Sequence, residues 1–184
     1  MQVGLAFLPA NLIMAAFSLG LSAKLVMRFG IRLPLAAGLL LAAVGLVLFA
    51  RAPVNGAFAV DVLPGMVLLG LGAGIAFNPV LLAAMSDVVP SESGLASGVV
   101  NTSFMMGGAL GLAILASLAA ARTEALLASG TISLVALNGG YGVAFAVGAV
   151  FAATAALLSF ALLRVRLPAP AHEGERAREA FGER

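Results

Sequence analysis

The feature that most constrains this chain is a series of long apolar runs whose interiors contain no charged residue. Each run is long enough to cross the roughly 30 Å of hydrocarbon in a bilayer at about 1.5 Å per helical residue. The five runs lie at residues 3–23, 33–50, 62–85, 97–121 and 141–163. We therefore predict an all-α integral membrane protein whose domain, residues 1–163, is a bundle of about five transmembrane helices.

Composition and run length exclude the other fold classes. Hydrophobic residues make up 62% of the chain and charged residues only 10%, which is more apolar than a soluble core requires. Transmembrane strands would be about 10 residues long and would alternate polar with apolar positions, whereas residues 35–48 are apolar throughout. The formal net charge of +2 is too small for a nucleic-acid partner. The lipid bilayer is the expected surrounding.

The basic residues predict an orientation, because Lys and Arg in short loops are retained on the cytoplasmic side. Eight of the ten lie in or beside the first connection and in the tail: Lys24, Arg28, Arg32, Arg164, Arg166, Arg176, Arg178 and Arg184. The second and fourth connections carry only Arg51 and Arg122. We expect a multi-pass protein of the cell membrane with an external N-terminus and a cytoplasmic C-terminus. The third connection, with Asp87 and Glu92, is then cytoplasmic.

The two ends of the chain differ from each other in character. Residues 164–184 carry mixed charges and prolines, so we expect a disordered cytoplasmic tail. His172 lies there without neighbouring ligands, and we expect neither a metal site nor a cofactor. Met1 and Gln2 lead directly into apolar sequence, which suggests a fragment of a longer protein or a shortened gene product.

Polar side chains inside the runs mark the faces that we expect to avoid lipid, since a buried amide needs a partner. The candidates for a substrate cavity are Asn11, Ser18, Asn78, Asn101, Phe104 and Met105. Pro79 removes a backbone donor after Asn78 and is expected to interrupt the third run. Each asparagine is open to two interpretations: hydrogen bonding between helices, or lining a cavity for an amphipathic organic molecule, which Met and aromatic side chains accommodate.

Glycine is unusually frequent, with 22 copies. Gly70 and Gly74 are four residues apart, as are Gly107 and Gly111, so each pair shares one helix face. Such pairs let another backbone approach closely, which is how helices associate in lipid. We predict that these four glycines are helix-packing positions in a tight bundle.

Catalysis is not expected from this sequence. Ser97 lies in a Gly-Leu-Ala-Ser-Gly segment that resembles a nucleophilic serine motif, but a serine nucleophile in the membrane needs a histidine from another helix. The single histidine lies in the tail. We therefore predict that the chain is not an enzyme.

The first connection carries a family resemblance. Lys24, Arg28, Gly30 and Arg32 lie in a segment similar to the basic cytoplasmic loop of major facilitator transporters. Met27 occupies the position that usually holds a carboxylate, so a charge-locking role that needs the carboxylate is not expected. Retention of positive charge, with Gly30 at the turn, explains the loop by itself.

Residues 70–79, 94–102 and 107–111 together resemble the fourteen-helix drug:proton antiporter branch of that superfamily. The resemblance covers nearly all of residues 1–163 and implies the last five helices of the C-terminal half. It implies secondary transport by alternating access about a site near the midplane of the bilayer. A small amphipathic organic substrate, a proton and the missing N-terminal half are then the partners in the full-length protein.

The function implied by this resemblance is that of the C-terminal segment of a secondary active transporter. Such a transporter exports drugs or antibiotics by proton antiport, and so confers multidrug resistance by efflux. The predicted spans contain no carboxylate, so we expect this segment to be inactive alone. The alternative is a small membrane protein that self-associates or serves as a structural subunit.

Overall fold

A computed structural model describes residues 22–163, and this part of the chain is helical and has no strand. The α-helices within these residues are α1 (Ser22–Phe29), α2 (Arg32–Ala50), α3 (Leu63–Met85), α4 (Ser93–Ala128) and α5 (Ser133–Leu162). A π-helical turn, Phe58–Val62, leads into α3, and a 3-10 turn, Pro90–Glu92, leads into α4. The predicted all-α class is confirmed. Nearly all of the predicted first span, 3–23, and the predicted tail, 164–184, lie outside the described residues.

Four helical segments in the described part are long and apolar enough to cross a membrane. They are Arg32–Ala50, Phe58–Met85, Pro90–Ala128 and Ser133–Leu162. The third and fourth extend beyond the spans predicted at 97–121 and 141–163. The helix α4 alone has 36 residues, about 54 Å at 1.5 Å per residue, so it is longer than the hydrocarbon is thick. A helix does not have to end where the apolar residues end, because the interface between the membrane and water accepts polar side chains.

Helix α2 lies at the centre of the bundle, where it packs against α3 on one side and α5 on the other. Helix α4 packs mainly against α5 and has little contact with α3. The buried side chains are mostly small, such as Ala36 and Ala43 in α2 and Ala149 and Ala156 in α5. Small residues suit a membrane bundle, because lipid removes the hydrophobic driving force and close packing must replace it.

The contact between α2 and α3, hereafter the glycine seam, is made by backbones that almost touch. A Cβ atom added to Gly38 would lie 2.7 Å from the carbonyl oxygen of Gly72. One added to Gly45 would lie 2.9 Å from the carbonyl oxygen of Gly65. The spacing along each helix is thus seven residues, a repeat that keeps one face against a partner helix. Gly70 and Gly74, the pair selected from the sequence, are also buried in α3.

The contact between α2 and α5 uses side chains as well as small residues. The rings of Phe49 and Phe145 have centroids 5.4 Å apart and are tilted by 30°. The Asn138 side-chain Nδ2 donates a hydrogen bond to the carbonyl oxygen of Ala52, at 3.1 Å. This bond joins the start of α5 to the segment that follows α2.

The contact between α4 and α5 is confined to the C-terminal half of α4. A Cβ on Gly140 would lie 2.5 Å from the carbonyl oxygen of Ala119, which is the one buried residue of α4. A Cβ on Gly139 would lie 2.7 Å from the Leu126 side chain. The N-terminal half of α4 therefore extends away from the described helices, and this arrangement determines where candidate sites lie.

Candidate functional site

The open face of α4 carries three of the residues predicted to line a substrate cavity. Asn101, Phe104 and Met105 lie on one side of this helix because they are three and four positions apart. All three are exposed, Phe104 by 59% and Met105 by 65%. No described residue forms a hydrogen bond with the Asn101 side chain. An amide in hydrocarbon needs a partner, so this face is suited to contact another protein segment or a wet cavity.

A shallow groove of about 390 Å³ adjoins this face of α4. It is lined by Gly94, Leu95, Gly98, Val99, Thr102, Ser103 and Met106. Further along the helix, a Cβ on Gly107 or Gly111 would meet no atom within 4 Å. These two glycines therefore do not pack the described helices against one another. Their packing against a segment outside residues 22–163 remains a prediction.

Asn78 lies in a groove that is separate from the open face of α4. This groove, of about 360 Å³, is formed by Val26 and Met27 of α1 with Asn78, Leu81 and Leu82 of α3. The predicted interruption at Pro79 is wrong, because α3 continues from Leu63 to Met85 through the proline, whose side chain is fully buried. Transmembrane helices tolerate proline where neighbouring groups satisfy the backbone. Asn11 and Ser18 lie outside the described residues.

The basic loop runs from Lys24 and Arg28 in α1 to Arg32, the first residue of α2. Gly30 has φ +74°, a left-handed conformation that glycine adopts without strain. Met27, at the position expected to be acidic, is 76% exposed. The Arg28 guanidinium lies 5.5 Å from the centroid of the neighbouring Phe29 ring. This segment therefore makes a tight turn at Gly30, with Met27 and Arg28 on the outside.

Arg32 has a contact that the sequence did not reveal. Its guanidinium donates a hydrogen bond to the carbonyl oxygen of Phe160 and lies 5.1 Å from the centroid of the Phe160 ring. Phe160 is in the last turn of α5, where carbonyl groups lack helical partners and a positive charge is favoured. Arg32 thus joins the start of α2 to the end of α5, in addition to carrying charge.

The expectation that the spans contain no carboxylate is corrected by the longer helices. Asp61 belongs to the π-helical turn at the start of the Phe58–Met85 segment, Glu92 belongs to the 3-10 turn at the start of the Pro90–Ala128 segment, and Glu124 belongs to α4. The Asp61 carboxylate accepts a hydrogen bond of 2.8 Å from the backbone N–H of Ala57. Asp61 therefore stabilises the start of the segment. All three carboxylates lie near the ends of these segments rather than at the middle of a span.

The sequence analysis did not predict a third groove, which is larger than the two grooves at Gly94 and at Asn78. It measures about 840 Å³ and lies between α2 and α5, with one residue from α4. We name it the arginine groove; among its lining residues are Leu40, Val47, Arg51, Arg122, Val143 and Val150. Both arginines were interpreted as residues of external connections. The signal in the sequence was that Arg122 is followed by Thr-Glu-Ala-Leu-Leu-Ala, which continues the helix and brings Arg122 alongside α5.

Comparison with known proteins identifies the relatives of this chain. It is 35% identical over 179 residues to the puromycin resistance protein pur8 of Streptomyces alboniger, covering 93% of this chain and 35% of the relative. It is 32% identical over 168 residues to the cephamycin export protein CmcT of Amycolatopsis lactamdurans, covering 91% of this chain and 32% of the relative. The multidrug resistance protein Stp of Mycobacterium tuberculosis is 33% identical over 124 residues, covering 67% of this chain and 22% of the relative.

The chain is therefore homologous to exporters of the major facilitator type that confer resistance to drugs and antibiotics, as the sequence resemblance predicted. It spans about one third of the length of the first two relatives. No family model and no solved structure matches the chain. The membrane-length helices and the exporter relatives together support a multi-pass membrane protein.

Proposed function

We propose that this chain supplies part of one helical bundle of a secondary active transporter that exports drugs or antibiotics. The observation that carries the proposal is its similarity, over nearly its whole length, to exporters three times as long. The open face of α4 supports it, because an apolar helix face with an exposed asparagine is suited to contact further protein. The missing N-terminal half is the partner that this proposal requires.

We further infer that transport is proton antiport and that the proton carrier lies outside the described helices. A carrier must bind and release its proton at membrane depth, usually through a carboxylate or histidine. The carboxylates within the described helical segments, Asp61, Glu92 and Glu124, lie near segment ends. The chain alone is then inactive, because alternating access also needs a second bundle.

The substrate is proposed to be a small amphipathic organic molecule that contacts the α4 face with Asn101, Phe104 and Met105. Aromatic and Met side chains adapt to varied apolar shapes, and the amide provides a single polar contact. Asn78, and with it Asn11 and Ser18, are proposed as further lining residues. The orientation proposed from the basic residues has the N-terminus external and the C-terminus cytoplasmic in the cell membrane.

A chimera tests this function. In it, the chain replaces the matched region of the puromycin resistance protein, and export is measured in an efflux-deficient host and in liposomes with an imposed proton gradient. We expect gradient-dependent export of puromycin from the chimera and none from the 184-residue chain alone. The alanine variant Asn101→Ala in the chimera should reduce export without reducing the amount of protein in the membrane. Robust gradient-dependent export by the chain alone would contradict the proposal.

Self-association is a second candidate, and the same open face of α4 favours it. A second copy of the chain would cover the exposed apolar residues and glycines of α4 as well as another protein would. Counting subunits by single-molecule photobleaching in lipid discs separates the two candidates. A stable dimer whose interface is lost in Met105→Arg would favour the structural subunit, and a monomer would favour the transporter segment.

A further inference from the structure

The arginine groove combines an apolar surface with two positive charges at one end. Its walls are aliphatic side chains of α2 and α5, and several are open to the surroundings, including Leu40 at 48%, Val44 at 50% and Val150 at 61% exposure. Arg51 follows the last residue of α2, and Arg122 lies in the C-terminal part of α4. The polar residues of the groove are thus gathered where α2 ends and α5 begins.

The length of the apolar part matches one leaflet of a membrane. From Leu40 to Arg51 the helix rises about 16 Å at 1.5 Å per residue. Half of a hydrocarbon core is about 15 Å thick. If the two guanidinium groups lie at the level of the headgroups, the aliphatic walls therefore reach to about the middle of the bilayer.

The charges of the groove favour an anion. No acidic residue lines it, and within residues 22–163 neither Arg51 nor Arg122 forms a salt bridge with a carboxylate. Arginine binds phosphate through a planar fork of N–H donors, and two such groups beside one cavity form a suitable receptor for a phosphate. Glu124, two residues from Arg122, is directed elsewhere on α4 because neighbours two apart do not share a face.

We propose that the arginine groove binds one anionic phospholipid, with its phosphate between Arg51 and Arg122 and an acyl chain along α2 and α5. The lipid would fill the cleft between these helices from the surrounding membrane, at the end opposite the Arg32–Phe160 contact. This binding does not depend on the proposed export function, since it uses only residues of the described bundle.

Lipid titration of the purified 184-residue chain, followed by native mass spectrometry, tests the proposal. Phosphatidylglycerol and phosphatidylcholine with identical acyl chains are compared. We expect phosphatidylglycerol to bind on the order of tenfold more tightly, given the attraction of two arginines at a membrane surface. The variant Arg51→Gln/Arg122→Gln should lose this preference, and Arg51→Lys/Arg122→Lys should retain only part of it, because lysine keeps the charge but not the planar fork.

A matched control removes two charges from the other end of the bundle. Lys24→Gln/Arg28→Gln should retain the preference, since these residues are remote from the groove. Val47→Trp/Val150→Trp should weaken binding of both lipids by obstructing the acyl chain. Glycerol phosphate, which has no acyl chain, should not bind measurably.

Three results would overturn the proposal. The first is an unchanged preference in Arg51→Gln/Arg122→Gln, and the second is an equal loss in Lys24→Gln/Arg28→Gln, which would indicate general charge attraction. The third is binding of glycerol phosphate as tight as that of phosphatidylglycerol, which would leave the apolar walls without a role. Helix content by circular dichroism and a single size-exclusion peak establish that each variant is folded.

Discussion

The glycine seam and the N-terminal half of α4 are both rich in glycine, yet the structure uses their glycines in opposite ways. In the seam, Gly38 and Gly72 bring two backbones into contact, so that an added Cβ would collide with a carbonyl oxygen. In α4, Gly107 and Gly111 are open on the side where a Cβ would project. Glycine spacing therefore indicates a surface capable of close packing, but the partner decides whether that packing occurs.

The largest effect is expected from filling the seam. Gly72→Leu would place a side chain against the backbone of α2 at Gly38 and Ala42, where no flexible group can move aside. Overpacking of this kind should cost on the order of 3 kcal/mol of unfolding free energy, enough to lower the folded yield sharply. Unfolding in a titration with dodecyl sulfate, followed by circular dichroism, measures the cost.

Gly107→Leu is the matched control for this substitution, because it has the same chemistry on an open face. We expect its unfolding free energy to stay within about 0.5 kcal/mol of that of the parent chain. Equal destabilisation by the two variants would remove the distinction between the regions. In the chimera with the puromycin resistance protein, Gly107→Leu should instead impair assembly, because the proposed partner half would then cover the face.

A smaller effect is expected at the Arg32 contact between α2 and α5. Arg32→Gln removes a charge-assisted hydrogen bond to the Phe160 carbonyl and the stacking on the Phe160 ring. The expected loss is about 1.5 kcal/mol, measured in the same unfolding titration. Arg28→Gln is the control, since the ring beside Arg28 belongs to the next residue and not to another helix. Loss of the same size in both variants would show that only the charge matters.

The smallest effect is expected from a single amide. Asn138→Ala removes the hydrogen bond to the Ala52 carbonyl, and bonds of this kind between membrane helices contribute about 0.6 kcal/mol on average. Asn101→Ala, on the open face of α4, should leave the unfolding free energy of the isolated chain unchanged. If Asn101→Ala destabilised the chain more than Asn138→Ala, the open face would already have a partner within it.

The sequence predicted the class of fold because charge-free runs of membrane length have few alternatives. It predicted the extent of α2 well, since Leu33 to Ala50 nearly coincides with Arg32–Ala50. It underestimated α4, because hydrophobicity marks the hydrocarbon and not the helix, and Arg122 and Glu124 continue the helix beyond it. Hydrophobicity averaged over a window of sequence therefore does not detect that extension.

The sites were less predictable than the fold. The seam uses glycines seven apart on two helices, and a single helix pattern cannot show which glycines of another helix oppose them. The arginine groove needs Arg51 and Arg122, which lie far apart in sequence and come together only through the packing of α4 on α5. Gly30, by contrast, was predictable because a turn between two adjacent helices is a local feature.

The central claim is that the open face of α4 is covered by the rest of a transporter, whereas α2 already packs against α3 and α5 within residues 22–163. The chain has no cysteine, so a single Met105→Cys substitution places one nitroxide label on that face. Electron paramagnetic resonance then measures the accessibility of the label to oxygen dissolved in the bilayer. Val150→Cys provides an exposed reference on α5 and Ala36→Cys a buried one on α2.

The measurement compares the isolated chain with the chimera in which it replaces the matched region of the puromycin resistance protein. In the isolated chain, we expect a label at position 105 to be as accessible as one at position 150. In the chimera, its accessibility should fall to that of position 36 while position 150 stays accessible. A label at position 105 that remains fully accessible to oxygen in an assembled, exporting chimera would contradict the claim.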